Sequence, residues 1–343
     1  MYFQTFPYGM HPYLKCFFDA LQLHGIRYES GKLFNNQILL NKELTGIHFH
    51  WIEYLWESST IYGSIKSIVG IYSFLREAKK RGKFLIWTVH NHQKHNNPNF
   101  VDKIGFLLFA KKVDLIIAHS TWSKNYILKK FKPFAPVIIM YHGNFISYFQ
   151  CNGDIYCLRN KYSLKPDLPV CGLIGTIRPY RGHDIAIETM KYLDNIQLFI
   201  VGSSYSNEYL SFLIQESKKY KNIVILPKRL SDDEYAEVIK LCDLILLPYK
   251  NFTTSGALMA SWSLGRSVVC SDHPYFKELI PSTSKAGKVV ELNPKFIADA
   301  VLDLLSISPE ERYDDSFSEA KKYDWNIVVL PVVEAFKSYF YGI

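Results

Sequence analysis

Short apolar runs alternate with longer amphipathic stretches along most of this 343-residue sequence. The apolar runs lie at 46–51, 84–89, 115–119, 137–140, 170–175, 197–201, 222–226, 244–247 and 267–270. Patterns with helical spacing lie at 13–24, 62–80, 100–111, 121–131, 184–193, 206–219, 232–242 and 254–264. This alternation predicts βαβ units, and hence an α/β fold built on parallel sheets. The unbroken apolar run 244–247 indicates strands that are covered on both faces.

A polar stretch at 150–169 interrupts the alternation and predicts the segment between two domains. We expect two Rossmann-like, doubly wound domains, 1–155 and 156–325, each with its own sheet. Ligands of such sheets bind beyond the carboxyl ends of the strands, so we expect the two domains to face a central cleft. The helical pattern at 326–343 is expected to cross back to the first domain.

The formal net charge of +8 by itself fits nucleic acid, an anionic membrane or phosphorylated small molecules as partners. Basic residues cluster at 79–83, 111–112 and 129–132. These clusters fit either a solvated surface or a face that makes peripheral contact with an anionic membrane, and both interpretations stay open. The basic residues form no helix-turn-helix, zinc or single-strand-binding signature, so no nucleic-acid partner is expected.

The six cysteines include no C-x-x-C pair, which is typical of reduced thiols in a cytoplasmic protein. The N-terminal residues lack the basic and apolar regions of a secretory leader. No apolar run reaches the roughly 18 residues that a membrane-spanning helix needs. We therefore expect a cytoplasmic location, with the inner face of the plasma membrane as the more specific alternative.

A loop with two arginines follows the predicted strand 170–175. It begins at Gly175 and Thr176, carries Arg178 and Arg181, and ends at Gly182. A diphosphate needs fixed cations and free backbone N–H groups, which the arginines and the glycine turns can supply. The alternative is a basic surface loop.

Small hydroxyl residues open the helix after the predicted strand 244–247. They are Thr253, Thr254 and Ser255, followed by Gly256. The first N–H groups of a helix and its dipole both favour an anion, so this segment predicts a second contact with phosphate. A helix cap alone would need a single hydroxyl residue.

Polar residues in the first domain gather at the start of the first helix and at the ends of two predicted strands: Gly9, His11, His50, Trp51, Glu53, His90, Asn91 and His95. We assign catalysis to Glu53 and His90, with Glu53 as the base if the reaction inverts configuration. The other six are assigned to sugar or acceptor contacts, including stacking on Trp51. Buried histidines that bond only to the backbone are the alternative. No cysteine or aspartate completes a metal-binding spacing with these histidines, so no metal is expected.

The loop 175–182 resembles the G-x-x-x-P-x-[KR]-G loop of GT-B glycosyltransferases, especially family GT4, and 253–269 is similar to that family's donor helix. The segments 8–13, 47–53 and 87–95 are similar to N-terminal lobes of bacterial exopolysaccharide glycosyltransferases. This resemblance implies a GT-B fold and the transfer of a hexosyl group from GDP-mannose or a UDP-sugar to a saccharide or lipid-linked saccharide in surface polysaccharide synthesis. It gives Arg181 and the 253–256 amides the donor diphosphate.

Two departures from the family pattern affect the site. Thr176 stands where the family has an arginine, so Arg178 would substitute for it. The family's paired glutamates fall on Phe252 and Ala260, which leaves the stereochemistry open. The sequence has no Asp-x-Asp triad, so we expect a metal-independent enzyme without cofactor. The alternatives are a UDP-sugar 2-epimerase-like enzyme and a non-catalytic relative that binds nucleotide sugars.

Overall fold

The computed structural model describes residues 1–6, 11–31, 36–93, 100–150 and 153–342. Two of the predicted site residues, Gly9 and His95, lie outside these ranges. The chain divides into two compact units, which we call unit 1 (Met1–Gly143 with Trp325–Ile343) and unit 2 (Asn144–Asp324).

Unit 1 ends at Gly143, before the predicted domain boundary at 155. The residues just after Gly143 form hydrogen bonds within unit 2. The backbone N–H of Asn144 donates to the carbonyl of Tyr323 at 2.8 Å, and that of Phe145 donates to Ser263 Oγ at 2.8 Å. The described residues 153–169 of the polar stretch are mostly exposed or half-buried and belong to unit 2, so its composition does not mark the point where the chain leaves unit 1.

The described residues form twelve strands and fourteen α-helices. The strands are β1 Tyr2–Phe6, β2 Arg27–Ser30, β3 Gly46–Phe49, β4 Phe84–Thr88, β5 Leu115–Ala118, β6 Val137–Ile139, β7 Val170–Ile174, β8 Gln197–Val201, β9 Ile223–Leu226, β10 Leu244–Leu247, β11 Ser267–Ser271 and β12 Gly287–Val290. The helices are α1 Pro12–Gln22, α2 Ile61–Lys80, α3 Phe100–Ala110, α4 Thr121–Phe131, α5 Ile155–Lys161, α6 His183–Thr189, α7 Asn207–Ser217, α8 Asp232–Leu241, α9 Gly256–Ser263, α10 Pro274–Leu279, α11 Pro294–Leu305, α12 Pro309–Lys321, α13 Trp325–Val328 and α14 Leu330–Tyr341.

Each unit contains one parallel sheet of six strands, which confirms the predicted α/β class with two sheets. The strand order is β2-β1-β3-β4-β5-β6 in unit 1 and β12-β11-β10-β7-β8-β9 in unit 2. The order reverses beside β1 and β3 in unit 1, and beside β7 and β10 in unit 2. Ligands of doubly wound sheets bind at such reversals, beyond the carboxyl ends of the strands.

All nine predicted strands are present, and three further strands were missed. β1 contains two adjacent polar residues, Gln4 and Thr5, between aromatic residues. β2 lies at a sheet edge with half of its residues exposed. β12 is an edge strand of the sheet in unit 2 and has only four residues. Short edge strands carry little of the continuous apolar signal that marks a buried strand.

The packing of β3 against β4 requires a residue without a side chain at the start of β3. Gly46 pairs with Phe84 across the two strands, and a Cβ at Gly46 would overlap the carbonyl oxygen of Phe84. The same Cβ would lie 2.9 Å from the ring of Phe3. β3 and β4 carry the polar residues of unit 1 at their ends, so this close approach also sets the position of the candidate site.

We expect Gly46→Ala to lower the free energy of unfolding by about 2–3 kcal/mol, because neither the strand backbone nor the Phe3 ring can move aside freely. Gly70→Ala is the matched control. Gly70 lies in α2 with no heavy atom within 4 Å of an added Cβ, so the change should stabilise by up to about 1 kcal/mol. Urea unfolding followed by circular dichroism measures both, and equal stability of the two variants would contradict the argument.

Candidate functional site

Arg181 connects the carboxyl ends of the two central strands of unit 2. Its Nη1 donates to the carbonyl of Ile174, the last residue of β7, at 3.0 Å. Its Nη2 donates to the hydroxyl of Tyr249, which follows β10, at 2.5 Å. The guanidinium also lies over the Tyr249 ring, 5.0 Å from its centroid. A permanent positive charge is thus held in one place at the strand-order reversal.

Two glycines make this position of Arg181 possible. Gly175 has a φ of 110° and Gly182 a φ of 72°, both in the region that favours glycine. A Cβ at Gly175 would overlap Nη1 of Arg181, and one at Gly182 would overlap the carbonyl oxygen of Pro248. The loop therefore returns close to the end of β10.

Arg178 and Thr176 lie in the same loop, and both are half-buried. The guanidinium of Arg178 lies 4.6 Å from the centroid of the Tyr205 ring. Within the described residues, Nε of Arg178 and Nε of Arg181 are buried without a hydrogen-bond partner. Buried donors of this kind are rare unless a ligand or water satisfies them, so the loop has donor capacity for an anion.

Tyr249 and His183 are site residues that the sequence analysis missed. Burial raises the pKa of Tyr249 from its usual value, so its hydroxyl keeps its proton while the oxygen accepts from Arg181. Burial and the neighbouring Arg181 lower the pKa of His183 to about 3. Nδ1 of His183 lies 3.1 Å from the carbonyl of Arg178 and so carries the ring proton, which leaves Nε2 as an acceptor for a hydroxyl. The motif Gly-His-Asp directly after the loop was the available signal.

The segment Thr253–Gly256 opens α9, and two of its three hydroxyl groups already have structural roles. Ser255 is the N-cap of α9 and accepts from the N–H of Leu258 at 3.2 Å. The hydroxyl of Thr254 donates to Tyr275 at 3.3 Å. Thr253 is buried. The hydroxyl of Ser255 therefore serves as a helix cap. The first-turn amides of α9 remain the groups suited to an anion.

The two positions where the family has glutamates are filled by core residues. Phe252 is 2% exposed and packs on the rings of Tyr249 and Phe276, at centroid distances of 5.3 and 4.7 Å. Ala260 is 1% exposed inside α9. A carboxylate at either place would be buried among apolar groups, so no acidic residue acts from these positions.

In unit 1, four histidines surround the ring of Tyr13 at the carboxyl ends of β3 to β6. The ring centroid of Tyr13 lies 4.7 Å from His90, 5.0 Å from His142, 5.4 Å from His119 and 5.9 Å from His50. We call these five residues the histidine cluster. His50 and His90 were predicted as site residues. His119 and His142 were missed, although each follows its strand within three residues.

Burial keeps every histidine of the cluster neutral. It lowers the pKa of His119 to about 4 and that of His142 to about 3, where His119 adds to the effect. It lowers the pKa values of His50 and His90 well below the usual range. His50 Nδ1 lies 2.9 Å from His90 Nε2, so one of these two nitrogens carries a hydrogen and donates it to the other. Neutral rings offer hydrogen bonds without charge, which suits sugar hydroxyls.

Trp51 packs against the ring of His90. The two rings stack with centroids 4.2 Å apart, and His11 lies 4.9 Å from the Trp51 ring. Trp51 has a φ of 44°, a left-handed conformation that is strained for a bulky residue and that occurs preferentially at functional sites. The predicted residues His11, His50, Trp51 and His90 are therefore brought together.

Glu53 and Asn91 form a second pair at the same edge. Glu53 lies in a 3₁₀ turn, Ile52–Trp56, and is 5% exposed. The amide of Asn91 donates to Glu53 Oε1 at 2.5 Å. This contact orients the carboxylate of Glu53, which lies two residues after Trp51. In the part of the chain that the structure describes, no group of three or more His, Cys, Asp or Glu is placed to hold a metal ion.

Part of unit 2 is similar to a known protein family. Residues 168–306, which contain both loops, match the family model described as glycosyl transferases group 1. The chain is 22% identical over 265 residues to the GDP-mannose:glycolipid 4-beta-D-mannosyltransferase of Xanthomonas campestris pv. campestris, covering 76% of this chain and 69% of that protein.

Two solved structures show similar folds. The sucrose-phosphate synthase from Thermosynechococcus elongatus has a TM-score of 0.78 at 13% identity and covers 100% of both chains. Anabaena HepE, solved in complex with UDP and glucose, has a TM-score of 0.74 at 14% identity, covering 98% of this chain and 100% of that one. At these identities the likeness concerns the fold.

The histidine cluster predicts that acid destabilises unit 1. The unfolded chain binds more protons than the folded chain once the pH falls below about 6.5, the usual histidine pKa. Stability should therefore fall from about pH 6.5 towards the lowered pKa values, by roughly 1 kcal/mol per pH unit for each buried histidine. Urea unfolding between these pH values measures the slope.

A single variant isolates one member of the cluster. His119 Nδ1 donates to the carbonyl of Met140 at 2.7 Å, and the amide of His119→Asn can keep that bond without titrating. In this variant the slope of the unfolding free energy against pH should decrease by the contribution of about one proton. The exposed His24→Asn is the control and should leave the slope as in the wild type. An unchanged slope in His119→Asn would contradict this account.

Proposed function

We propose that this chain, which is a GT-B glycosyltransferase similar to family GT4, transfers a hexosyl group from a nucleotide sugar to a saccharide or lipid-linked saccharide. The observation that carries the proposal is the Arg181 guanidinium, fixed between the ends of β7 and β10. Its charge lies where doubly wound sheets bind ligands. Transfer from a nucleotide sugar releases a nucleoside diphosphate, and that leaving group needs a fixed positive charge.

The donor site is built from loop residues 175–182 and the start of α9. Arg178 and Arg181 supply charge, the α9 amides supply N–H groups, and Tyr249 can donate its hydroxyl proton. We infer that these groups neutralise the diphosphate without a metal ion, so that no cofactor takes part. The accepting Nε2 of His183 fits a hydroxyl of the donor's ribose or sugar.

GDP-mannose is the first donor to test, and UDP-hexoses are the second. The Xanthomonas campestris relative is named for GDP-mannose and a glycolipid acceptor, and Anabaena HepE was solved with UDP and glucose. By analogy we infer that this chain serves surface polysaccharide synthesis. The epimerase-like and non-catalytic alternatives gain no support from the matched proteins, which are transferases by name or family.

Glu53 is the general base in this proposal. Its carboxylate takes the proton of an acceptor hydroxyl, the acceptor oxygen attacks the anomeric carbon, and the bond to the diphosphate breaks with its electron pair on the departing oxygen. Asn91 holds the carboxylate in place. Trp51 and His90 offer a ring surface and a hydrogen bond to a sugar. The Xanthomonas campestris relative is named as a 4-beta-D-mannosyltransferase. Formation of a β-mannoside from the α-linked mannose of GDP-mannose requires inversion, which fits a base of this kind.

We also infer a cytoplasmic location at the inner face of an anionic membrane. No helix within the described ranges is long and apolar enough to cross a membrane. Two lysines of the basic cluster 79–83 are engaged within unit 1. Lys79 pairs with Asp114 at 2.8 Å, and the buried Lys83 donates to the carbonyls of Asn41 and Leu44. These two lysines are therefore less available to lipid phosphates than exposed lysines without such contacts.

Binding of GDP or UDP should persist in EDTA and should depend on Arg181. Arg181→Ala removes a charge-assisted contact and should raise the Kd about tenfold or more. Lys295→Ala, which removes the same charge from an exposed position on α11, should leave the Kd unchanged. Titration calorimetry in EDTA measures both variants, with the thermal midpoint as the check on folding. A strict requirement for Mg²⁺ or Mn²⁺, or unchanged affinity in Arg181→Ala, would defeat the donor assignment.

Glu53→Gln should keep nucleotide affinity and lose turnover. Glutamine preserves the size of the side chain but cannot accept a proton, so kcat should fall by roughly 10²–10⁴ if Glu53 is the base of an inverting reaction. Glu57→Gln, four residues later and exposed, is the matched control. Product release from GDP-mannose with a synthetic lipid-linked saccharide measures kcat. Near-wild-type turnover in Glu53→Gln would remove its catalytic role.

A further inference from the structure

Helix α2 exposes a row of apolar side chains to solvent. Ile61, Ile65, Val69 and Tyr72 are spaced by four, four and three residues, so they lie along one face of the helix. All four are exposed, and Val69 is 63% exposed. The adjacent face of α2, which includes Ile68, Ile71 and Leu75, is buried in the core. Single exposed apolar residues are ordinary, but a row over three turns requires an explanation.

Helix α3, which contacts α2, also carries a row of exposed apolar side chains. Phe100, Ile104 and Leu107 are exposed, with Phe100 at 58%, and their spacing again places them on one face. The two helices pack side by side, because a groove between them is lined by Tyr72 of α2 and Leu108 of α3. We call the seven exposed residues of the two rows the apolar face.

Lysines surround the apolar face. Lys66 and Lys103 are exposed within the two helices. Lys112 follows α3, and its Nζ lies 4.9 Å from the centroid of the Tyr72 ring. The acidic residues of the same helices do not offset this charge. Asp102 is buried and accepts from Trp56 Nε1 at 3.0 Å, and Glu77 pairs with Arg81 at 2.7 Å.

We propose that the apolar face inserts into the headgroup region of an anionic phospholipid bilayer, with the surrounding lysines on lipid phosphates. Amphipathic helices with apolar residues on one side and lysines beside them bind membranes in this way. A second copy of the chain is a less suitable occupant, because two such faces would bring the same lysines together. The purpose of this contact rests on the proposed lipid-linked acceptor, whereas the contact itself can be measured without any acceptor.

The test is co-sedimentation of the full chain with phosphatidylglycerol–phosphatidylcholine vesicles at low salt. Ile65→Ser/Val69→Ser should reduce partitioning about tenfold, since both side chains lose apolar contact. Phe212→Ser/Ile214→Ser is the matched control, because these residues are equally exposed on α7 of unit 2, and it should partition as the wild type does. Val69→Trp should partition more strongly, because tryptophan favours the membrane interface.

Two further measurements test the role of the lysines and whether the apolar face binds a second copy of the chain. Lys66→Gln/Lys103→Gln should weaken binding by roughly fivefold per lysine and reduce its salt dependence. Equal losses in the α2 and α7 variants, or no vesicle binding by the wild type, would overturn the proposal. A wild-type dimer that Ile65→Ser/Val69→Ser converts to a monomer would assign the face to a second copy instead. GDP and UDP binding in solution, measured on every variant, reports on the donor site separately.

Discussion

Both sheets are covered on their two faces, and this constraint determines where polar chemistry can occur. β4 and β7 are buried at every position, and so is β10. A polar side chain within such a strand would lose its water, so functional groups emerge where the strands end. The ends of β3 to β6 carry the histidine cluster, and the ends of β7 and β10 carry Arg181 and Tyr249.

The two sets of strand ends differ in their electrostatics. In unit 2 the fixed groups are guanidinium cations, which hold their charge at any physiological pH. In unit 1 burial removes charge from the histidines, and Glu53 is oriented by the neutral amide of Asn91. The first environment suits an anionic leaving group. The second suits a sugar, whose hydroxyl groups form hydrogen bonds but carry no charge.

Much of this arrangement could be predicted from the sequence, because buried parallel strands leave an unmistakable apolar signal and glycines mark the loop 175–182. β2 and β12 escaped prediction because edge strands need little apolar sequence. Tyr249 escaped because its role depends on the return of the loop to Pro248, a contact that no local pattern encodes. Ser255 was predicted to belong to the diphosphate site, and in the structure its hydroxyl caps α9, because the same residue type serves both purposes.

The contact between His50 and His90 links the two rings through a single hydrogen. Only one of the facing nitrogens can carry it, so the position of the proton on one imidazole dictates its position on the other. Within the described residues, Nε2 of His50 is buried without a partner, which penalises any state that places the hydrogen there. His50 thereby keeps its hydrogen towards His90, and the remaining nitrogen of His90 must be the one that donates. The tautomer of His50 would in this way determine that His90 offers a hydrogen-bond donor, and not an acceptor, to a bound sugar oxygen.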